Sequence, residues 1–486
     1  MKVLFATPEC APYVKTGGLG DVSAALPATL ARLGHEVRVL MPAYRGMQVS
    51  GDAGETIDIA ASGPWPAAQL MPVRVDNGVT LLLLACPELY QRNGGPYVDA
   101  GGQDHHDNAR RFGFLSRVAA ALGSEHSPDA NWRADVVHAN DWPCALAPLY
   151  LAQERWLARR PASASVMTIH NMAFQGMFPM FTADLLAVPG EWRGVEGVEF
   201  WGQLSMLKAG LQFADAITTV SPTYAREIQT EAFGAGLDGV LRARADRLTG
   251  ILNGIDTELW NPELDDLIPH RYGADDFTGK ALDKAALQQR CGLAVDPRAV
   301  LFGVVSRLTA QKGIDLVLGA LEPMVAQGGQ LVVLGQGEPA LHAALAAAGL
   351  AHPGAVAAHT GFEESLAHQI EAGADCFLMP SRFEPCGLNQ MYSQAYGTPP
   401  LVSPTGGLSD SVSDASADPA NGTGFVMASS DAAGLHEALA RAMQAWREPP
   451  RWQRIQRNGM ARQFGWNQSA TRYLRVYEQA IEQSKR

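Results

Sequence analysis

Cysteine is scarce in this sequence: six occur among 486 residues, and no two of them form a C-x-x-C pair. Both a disulfide framework and a zinc site built from paired cysteines are therefore disfavoured, and reduced thiols in a cytoplasmic protein fit better. Apolar runs of about 20 residues, the length of a membrane helix, are also missing. The N-terminal apolar run is too short for a signal peptide. We therefore expect a cytoplasmic protein with no membrane partner.

An excess of positive charge is missing as well. Acidic residues number 50 against 38 basic ones, which gives a net charge of -12. This balance argues against non-specific binding of nucleic acid, which depends on a positive surface. Any bound anion must be held by locally placed lysines, arginines and backbone N–H groups.

What the sequence does have is a regular alternation of short apolar runs and helical patterns. Such alternation is typical of a parallel sheet with helices on both faces. The first series of runs lies at 3–7, 37–41, 81–86, 135–139, 166–170 and 216–221, and the second at 300–306, 330–335, 376–380 and 400–403. We predict an α/β protein with two doubly wound, Rossmann-like domains. Turn residues at 252–256 indicate the junction, and an amphipathic pattern at 466–481 predicts a final helix.

The stretch KTGGLGDV at 15–22 lies between the first predicted strand and a predicted helix. Backbone N–H groups at a helix N-terminus favour an anion, and glycines let a ligand approach the backbone closely. Lys15 adds a mobile positive charge beside them. A tight glycine turn with a solvated lysine is an equally good interpretation of this stretch taken alone.

Four further polar motifs follow the ends of predicted strands, where open α/β sheets bind their ligands. They are NDW at 140–142, HN at 170–171, SRLTAQKG at 306–313 and SRFEPCGL at 381–388. The arginine and lysine of the third motif suit a diphosphate, although a solvated loop is the alternative. Asp141 either accepts hydrogen bonds from sugar hydroxyls or caps the next helix, and a lone histidine such as His170 is more often structural. Pro385 fits the first position of a helix, which predicts that the N–H groups of 386–389 point toward a phosphate.

Together and in this order, the five motifs resemble those of bacterial glycogen synthases and plant starch synthases, which are retaining glycosyltransferases of family five with the GT-B fold. The resemblance covers the chain from Lys2 to about Trp466. It implies two Rossmann-like domains facing a central cleft: a glucan acceptor domain at 1–252 and 465–486, whose last helix crosses back, and a nucleotide-sugar domain at 253–464. The implied reaction transfers glucose from ADP-glucose to the non-reducing end of an α-1,4-glucan such as glycogen, with retention of configuration.

The resemblance also implies roles for the residues that match the family's motifs. Catalytic roles fall to Glu384, His170, Asp141, Arg307 and Lys312. Binding of the nucleotide sugar falls to Lys15, Gly17, Gly18, Asp21, Asn171, Asn253, Cys386, Gly387 and Leu388.

A carboxylate pair of the form D-x-D occurs nowhere in the sequence. Enzymes that clamp a nucleotide sugar through a divalent metal usually present such a pair. We therefore expect no metal and no cofactor, with cations of the protein in the metal's place. Two alternatives stay open: a GT-B enzyme with another donor or acceptor, and a non-catalytic protein that binds glucan or nucleotide.

Overall fold

The computed structural model describes residues 1–485, which divide into two compact units. Unit 1 consists of residues 1–253 together with the C-terminal segment from 466 onward, and unit 2 of Gly254–Gly465. The strands, in chain order, are β1 (Lys2–Ala6), β2 (Glu36–Pro42), β3 (Asp52–Ala53), β4 (Ile57–Ile59), β5 (Ala68–Arg74), β6 (Thr80–Ala85), β7 (Val136–Asn140), β8 (Ala164–Ile169), β9 (Met177–Pro179), β10 (Glu199–Phe200), β11 (Gln203–Ser205), β12 (Ala216–Thr219), β13 (Leu248–Gly250), β14 (Val300–Val305), β15 (Gly329–Gly335), β16 (Val356–Thr360), β17 (Cys376–Met379), β18 (Pro400–Val402) and β19 (Phe425–Val426).

The α-helices surround these strands. They are α1 (Gly18–Arg32), α2 (Pro87–Tyr90), α3 (Asn108–Leu122), α4 (Asp141–Cys144), α5 (Leu146–Ala152), α6 (Thr182–Leu185), α7 (Met206–Phe213), α8 (Pro222–Glu227), α9 (Asp238–Ala243), α10 (Thr278–Arg290), α11 (Ile314–Gly319), α12 (Leu321–Ala326), α13 (Pro339–Ala351), α14 (Glu364–Gly373), α15 (Asn389–Ala395), α16 (Gly406–Ser411), α17 (Ala432–Trp446), α18 (Pro449–Met460) and α19 (Trp466–Gln483).

Unit 1 is organised around one mixed sheet with the strand order β13-β12-β8-β7-β1-β2-β6-β5-β3. The strands from β13 to β6 pair in parallel, whereas β5 runs antiparallel to β6, and β3 and β4 run antiparallel to β5. Strand β8 is buried at every position, as expected for a strand with helices on both faces. Later strands add on one side through β2 and β6 and on the other through β7 and β8. The order therefore reverses between β1 and β7, where ligands of such sheets bind.

The predicted C-terminal helix is confirmed as α19, and it packs on unit 1 rather than on the unit that precedes it in sequence. Trp466, Tyr473 and Tyr477 lie in the same hydrophobic core as β1 and β2. The Tyr477 hydroxyl forms a 2.8 Å hydrogen bond with Nδ1 of His138 on β7. Burial lowers the pKa of His138 to about 3, so the ring is neutral in this core.

Unit 2 has a fully parallel sheet with the order β16-β15-β14-β17-β18-β19. This is again a doubly wound arrangement, with its switch point between β14 and β17. The predicted fold class is thus confirmed. The sequence patterns overlooked β5, which contains Pro72, and β16, an alanine-rich strand at a sheet edge. Both lack the apolar, β-branched runs by which strands are recognised.

A small antiparallel sheet in unit 1 follows the HN motif at 170–171. Its order is β10-β11-β9, and β10 is joined to β11 by two residues, Trp201 and Gly202.

Candidate active site

The polar motifs of both units lie at the two switch points. In unit 1, β1 leads to the glycine stretch and β7 leads to Asp141. In unit 2, β14 leads to Arg307 and Lys312, and β17 leads to Glu384. Each pair of strands is adjacent and parallel, so the motifs that follow them meet at one edge of the sheet.

The glycine stretch of unit 1 is held by a residue that the sequence patterns did not single out, Glu9. Its Oε2 accepts hydrogen bonds from the Thr16 N–H at 2.6 Å, the Thr16 hydroxyl at 2.8 Å and the Gly17 N–H at 3.3 Å. Its Oε1 accepts one from the Tyr97 hydroxyl at 2.9 Å. Two of the N–H groups that precede α1 are therefore already bound by a buried carboxylate of the protein. The only indication in the sequence is that Glu9 follows β1 closely.

The helix of the glycine stretch begins at Gly18, with Gly17 as its extended N-cap residue. Lys15 is exposed and forms a 2.8 Å ion pair with Asp21 of the first turn. A surface pair of this kind contributes little to stability, so its ammonium group can turn to a bound anion at small cost. Lys15, Gly17, Gly18 and Asp21 are thus brought together.

The second cluster of unit 1 joins the ends of β7 and β8. Oδ1 of Asp141 accepts a 2.7 Å hydrogen bond from the backbone N–H of His170. Burial raises the pKa of Asp141 to about 7, and the neighbouring Glu9 carboxylate adds to this rise. Hydrogen bonds from the N–H groups of His170 and Asn171 act in the opposite direction and lower the pKa. Asp141 also has a φ of 52°, a left-handed conformation that is uncommon outside glycine. The carboxyl group is therefore fixed in position and poorly solvated.

The imidazole of His170 is oriented by Asn140. The amide nitrogen of Asn140 donates to the carbonyl oxygen of Ala6 at 3.1 Å, so its Oδ1 faces His170 Nε2 at 2.9 Å. Burial lowers the pKa of His170 to about 3, and the ring is neutral. A neutral ring that donates through Nε2 carries its lone pair on Nδ1.

Two other predicted site residues of unit 1 have different surroundings. Oδ1 of Asn171 accepts a 2.9 Å hydrogen bond from the Ala173 N–H and so shapes the loop after His170. Asn253, the last residue of unit 1, is buried, and its Oδ1 has no hydrogen-bond partner within residues 1–485. A buried acceptor without a partner is costly. No contact within the described chain joins Asn253 to the Asp141 cluster.

The site of unit 2 is centred on an ion pair between Lys312 and the buried Glu384. Nζ of Lys312 lies 2.5 Å from Oε2 of Glu384, which also accepts a 3.1 Å hydrogen bond from the Ser381 hydroxyl. Within the described residues Oε1 of Glu384 accepts no side-chain or backbone hydrogen bond. Arg307 is exposed and forms no ion pair in this part of the chain. Lys312 is therefore engaged with a carboxylate that keeps one open oxygen, and Arg307 is an exposed cation at the end of the adjacent strand β14.

The two loops of this ion pair are tied together by other contacts. Arg382 makes two 2.7 Å hydrogen bonds to the carboxylate of Asp315, and its N–H donates to the carbonyl oxygen of Gln311 at 2.8 Å. Gly313 has a φ of +69°, and a Cβ there would lie 2.1 Å from the carbonyl oxygen of Pro380. Only glycine allows the backbones to approach this closely.

The prediction that Pro385 begins a helix is wrong, because α15 begins at Asn389. Gly387 has a φ of +69°, which interrupts a right-handed helix, and the carbonyl oxygens of Cys386 and Gly387 accept hydrogen bonds from the Gln390 side chain. The segment 385–388 is a turn, with Leu388 as the N-cap residue of α15. Its N–H groups therefore do not form a helical first turn.

The glycine turn at 406–407 packs against this segment. The Gly407 N–H lies 3.2 Å from the carbonyl oxygen of Glu384, and a Cβ on Gly406 would lie 1.9 Å from the same oxygen. Cys386 is buried in this packing. The packing fixes the backbone that carries Glu384.

Two searches of the described residues gave negative results. No group of three or more histidine, cysteine, aspartate or glutamate side chains there is arranged to hold a metal ion. Within residues 1–485, every helix is too short or too polar to span a membrane.

Two family models match the chain. The model described as "Starch synthase catalytic domain" matches residues 2–243, and "Glycosyl transferases group 1" matches residues 288–459.

Curated relatives match over nearly the whole length. The glycogen synthase of Paracidovorax citrulli is 61% identical over 484 residues, covering 98% of this chain and 94% of the relative. The glycogen synthase of Aromatoleum aromaticum is 53% identical, covering 98% of this chain and 96% of the relative.

Among solved structures, the catalytic domain of starch synthase IV from Arabidopsis thaliana, bound to ADP and acarbose, matches with a TM-score of 0.86 and 30% identity, covering 99% of both chains. A sucrose-phosphate synthase from Thermosynechococcus elongatus matches with a TM-score of 0.60 and 17% identity over 99% of both chains, which shows a shared fold alone.

Proposed function

We propose how the residues of this chain carry out the reaction of its family. The chain belongs to the family of bacterial glycogen synthases and starch synthases. Its reaction is therefore the transfer of glucose from ADP-glucose to the non-reducing end of an α-1,4-glucan with retention of configuration. The observation that carries the proposal is the preformed cluster of Lys312, Glu384 and Ser381 beside the exposed Arg307. Its cations suit a diphosphate, and its carboxylate suits a sugar hydroxyl.

We assign the donor's nucleotide and phosphates chiefly to unit 2, which we propose to be the nucleotide-sugar domain. Arg307 binds a phosphate through its guanidinium group. Lys312 has three N–H donors and can contact a phosphate while it remains paired with Glu384. Cys386, Gly387 and Leu388 supply backbone groups of the turn before α15.

We assign the glucan acceptor to unit 1, together with part of the donor. Lys15, Gly17, Gly18 and Asp21 form the anion-binding start of α1, and Lys15 exchanges its surface partner for a phosphate oxygen. Asn253 supplies a buried acceptor oxygen that still lacks a donor.

The glucose itself is held by Glu384, Asp141, His170 and Asn171. The open Oε1 of Glu384 and the outer oxygen of Asp141 accept hydrogen bonds from glucose hydroxyls. Neutral His170 adds no positive charge where the sugar develops its own in the transition state.

The chemistry we propose is a front-face substitution. The bond between the anomeric carbon and the diphosphate oxygen breaks, and Arg307 and Lys312 stabilise the charge left on that oxygen. The same oxygen takes the proton of the incoming glucan hydroxyl, whose oxygen forms the new bond on the same face. No covalent glycosyl-enzyme is required, because both nearby carboxylates serve hydroxyl groups rather than the anomeric carbon.

The test is to incubate the protein with glycogen and either ADP-glucose or UDP-glucose, with and without EDTA, and to follow release of the nucleoside diphosphate. We expect release of ADP that survives EDTA, because protein cations stand in the metal's place. Loss of activity in EDTA that magnesium restores would contradict the metal-free scheme. A preference for UDP-glucose would contradict the donor assignment, and glycogen binding without turnover would favour a non-catalytic protein.

We further propose that the protein acts in the cytoplasm. The support is that no disulfide joins any of the cysteines within residues 1–485, which suits a reducing compartment.

A further inference from the structure

Trp201 lies at the tip of the small sheet that follows the His170 loop. Among residues 1–485 it is the most exposed aromatic side chain. Its exposed fraction is 82%. Trp201 and Gly202 form the two-residue connection between β10 and β11, with φ values of 53° and 77°. Two central residues with positive φ are the mark of a type I′ hairpin turn.

Tryptophan is an unfavourable choice for this turn. The first central position of a type I′ turn favours asparagine, aspartate or glycine, and positive φ is strained for a bulky residue. The indole is also left almost entirely in water, so little burial offsets the strain. Apart from an edge-on contact of the indole with the Phe200 ring, folding of unit 1 gives no reason for tryptophan at this position. A residue that breaks a local rule without a structural gain points to a function.

The position of the turn indicates which ligand it meets. The small sheet starts directly after the His170 loop, because β9 begins at Met177 and pairs with β11. Gln175, in the same loop, donates a 2.9 Å hydrogen bond to the carbonyl oxygen of Ala235. The next residue, Gly236, lies beneath the turn: a Cβ there would be 3.5 Å from the indole nitrogen of Trp201. The turn therefore lies next to the Ala235–Gly236 segment, which the His170 loop contacts through Gln175.

An exposed aromatic face is chemically suited to a glucose unit. The C–H groups on one face of a pyranose ring carry partial positive charge and pack against the negative face of an aromatic ring. Phe174, also on the His170 loop, is exposed to 53% and adds apolar surface next to the site. Both exposed side chains are uncharged, so they suit a neutral ligand such as a sugar.

We propose that Trp201 binds the acceptor: its indole stacks on a glucose unit of the α-1,4-glucan some way from the end that is extended. The proposal rests on the proposed function, because the acceptor is the glucan of that reaction. Trp201 determines preference for long chains over short ones, since only a long chain reaches both the reacting end and the indole.

The deciding variant is Trp201→Asn, which gives the turn the residue that it favours and removes the ring. Its thermal stability should equal or exceed that of the wild type. Glycogen affinity, measured by electrophoresis in glycogen-containing gels without donor, should fall about ten-fold, the size of effect expected for a buried aromatic anchor. The KM for glycogen should rise by a similar factor, while the KM for ADP-glucose and the kcat with a saturating short maltooligosaccharide stay unchanged.

Two control variants separate stacking from general loss of apolar surface. Trp201→Phe keeps a flat ring and should retain most of the affinity. Leu350→Asn removes an apolar side chain that is 85% exposed on α13 of unit 2, and it should leave glycogen affinity unchanged.

The outcomes are distinct. Unchanged glycogen affinity in Trp201→Asn, with an active wild type, would overturn the inference. A change in sedimentation on loss of the ring, with affinity intact, would assign the indole to a contact between copies and would overturn it too. A wild type that binds glycogen through Trp201 but releases no ADP from ADP-glucose would instead contradict the proposed function alone.

Discussion

The two switch points of this protein use their carboxylates differently. In unit 1, Glu9 and Asp141 accept hydrogen bonds from backbone N–H groups, and the nearby cation Lys15 is exposed on the surface. In unit 2, Glu384 pairs with Lys312 itself, and the surrounding backbone is positioned by other residues. The carboxylates of unit 1 are therefore bonded to backbone N–H groups, whereas the carboxylate of unit 2 is part of a charged pair.

This difference predicts opposite responses to neutralisation. Asp141 is poorly solvated and has no cationic partner within residues 1–485, so removal of its charge should stabilise the folded state. Glu384 forms a largely buried ion pair with Lys312, so removal of the Glu384 charge should leave the lysine unpaired. The experiments below test the comparison from the largest expected effect to the smallest.

The largest effect is expected for Lys312→Met. The change removes the cation that we assign to the donor phosphates and leaves the buried Glu384 carboxylate without its cationic partner. We expect kcat/KM for ADP-glucose to fall about a thousand-fold, as for loss of a preorganised charge at a reacting group. The measurement is ADP release at saturating glycogen. The double variant Lys312→Met with Glu384→Gln should recover thermal stability but not the rate, and a single variant within ten-fold of the wild-type rate would refute the assignment.

Lys15→Ala should have a smaller effect that is confined to the donor. Because Lys15 forms one surface ion pair, with Asp21, the fold should be unaffected. Loss of a charged hydrogen bond to phosphate should raise the KM for ADP-glucose between about ten- and a hundred-fold. Affinity for glycogen should stay the same. Arg110→Ala, which removes another surface pair of unit 1, is the control and should change neither quantity. If glycogen affinity alone falls, Lys15 has been misassigned.

Glu9→Gln tests whether a residue that contacts no ligand positions the glycine stretch. The amide cannot accept on both of its terminal atoms, so either the Thr16–Gly17 backbone or Tyr97 loses an acceptor. We expect the KM for ADP-glucose to rise about ten-fold, the effect of about one lost hydrogen bond to a charged group. Glu88→Gln, which alters an exposed ion pair of the same unit, should be neutral. Equal donor kinetics in the two variants would show that Glu9 has no positioning role.

The smallest effect is on stability, and its sign depends on pH. The folded-state pKa of Asp141 is about 7, above its ordinary value of 3.8, so protonation favours the folded state. This stabilisation is full below about pH 4 and is lost as the pH rises through about 7. Asparagine keeps an oxygen for the His170 N–H and tolerates the positive φ. Asp141→Asn should therefore melt like the wild type near pH 4 and several degrees higher near pH 8, while turnover falls.

Glu9 and His170 neighbour Asp141 and are the same residues in both proteins. Glu384→Gln is the matched variant of unit 2. It should instead lower the melting temperature near neutral pH, because it leaves the Lys312 ammonium group without its carboxylate partner. The measurement is the melting temperature of the wild type and of both variants near pH 4 and near pH 8. A difference between Asp141→Asn and the wild type that does not vary with pH would show that burial of the charge is not the cause.

Much of the fold could be predicted from sequence because its signals are local. Most parallel strands of the two cores are short apolar runs. Polar motifs that follow adjacent parallel strands, β1 with β7 and β14 with β17, necessarily share an edge of their own sheet. The start of α15 could not be predicted in this way. Pro385 satisfies the local rule for a helix start, but Gly387 takes a left-handed conformation, and residues 384–386 before it pack against Gly406 and Gly407, which is a contact between distant segments.

The sequence by itself determined the two doubly wound sheets, the final helix and the charged residue types available at the strand ends, because periodicity and residue chemistry are properties of adjacent positions. Only the tertiary structure decided which acid is bonded to backbone N–H groups and which is paired with a lysine. Glu9 and Tyr97 are far apart in the chain, as are Lys312 and Glu384, and they meet only when the sheets form. The pKa of Asp141 rises for the same reason: burial is produced by neighbours from across the fold, which local sequence does not specify.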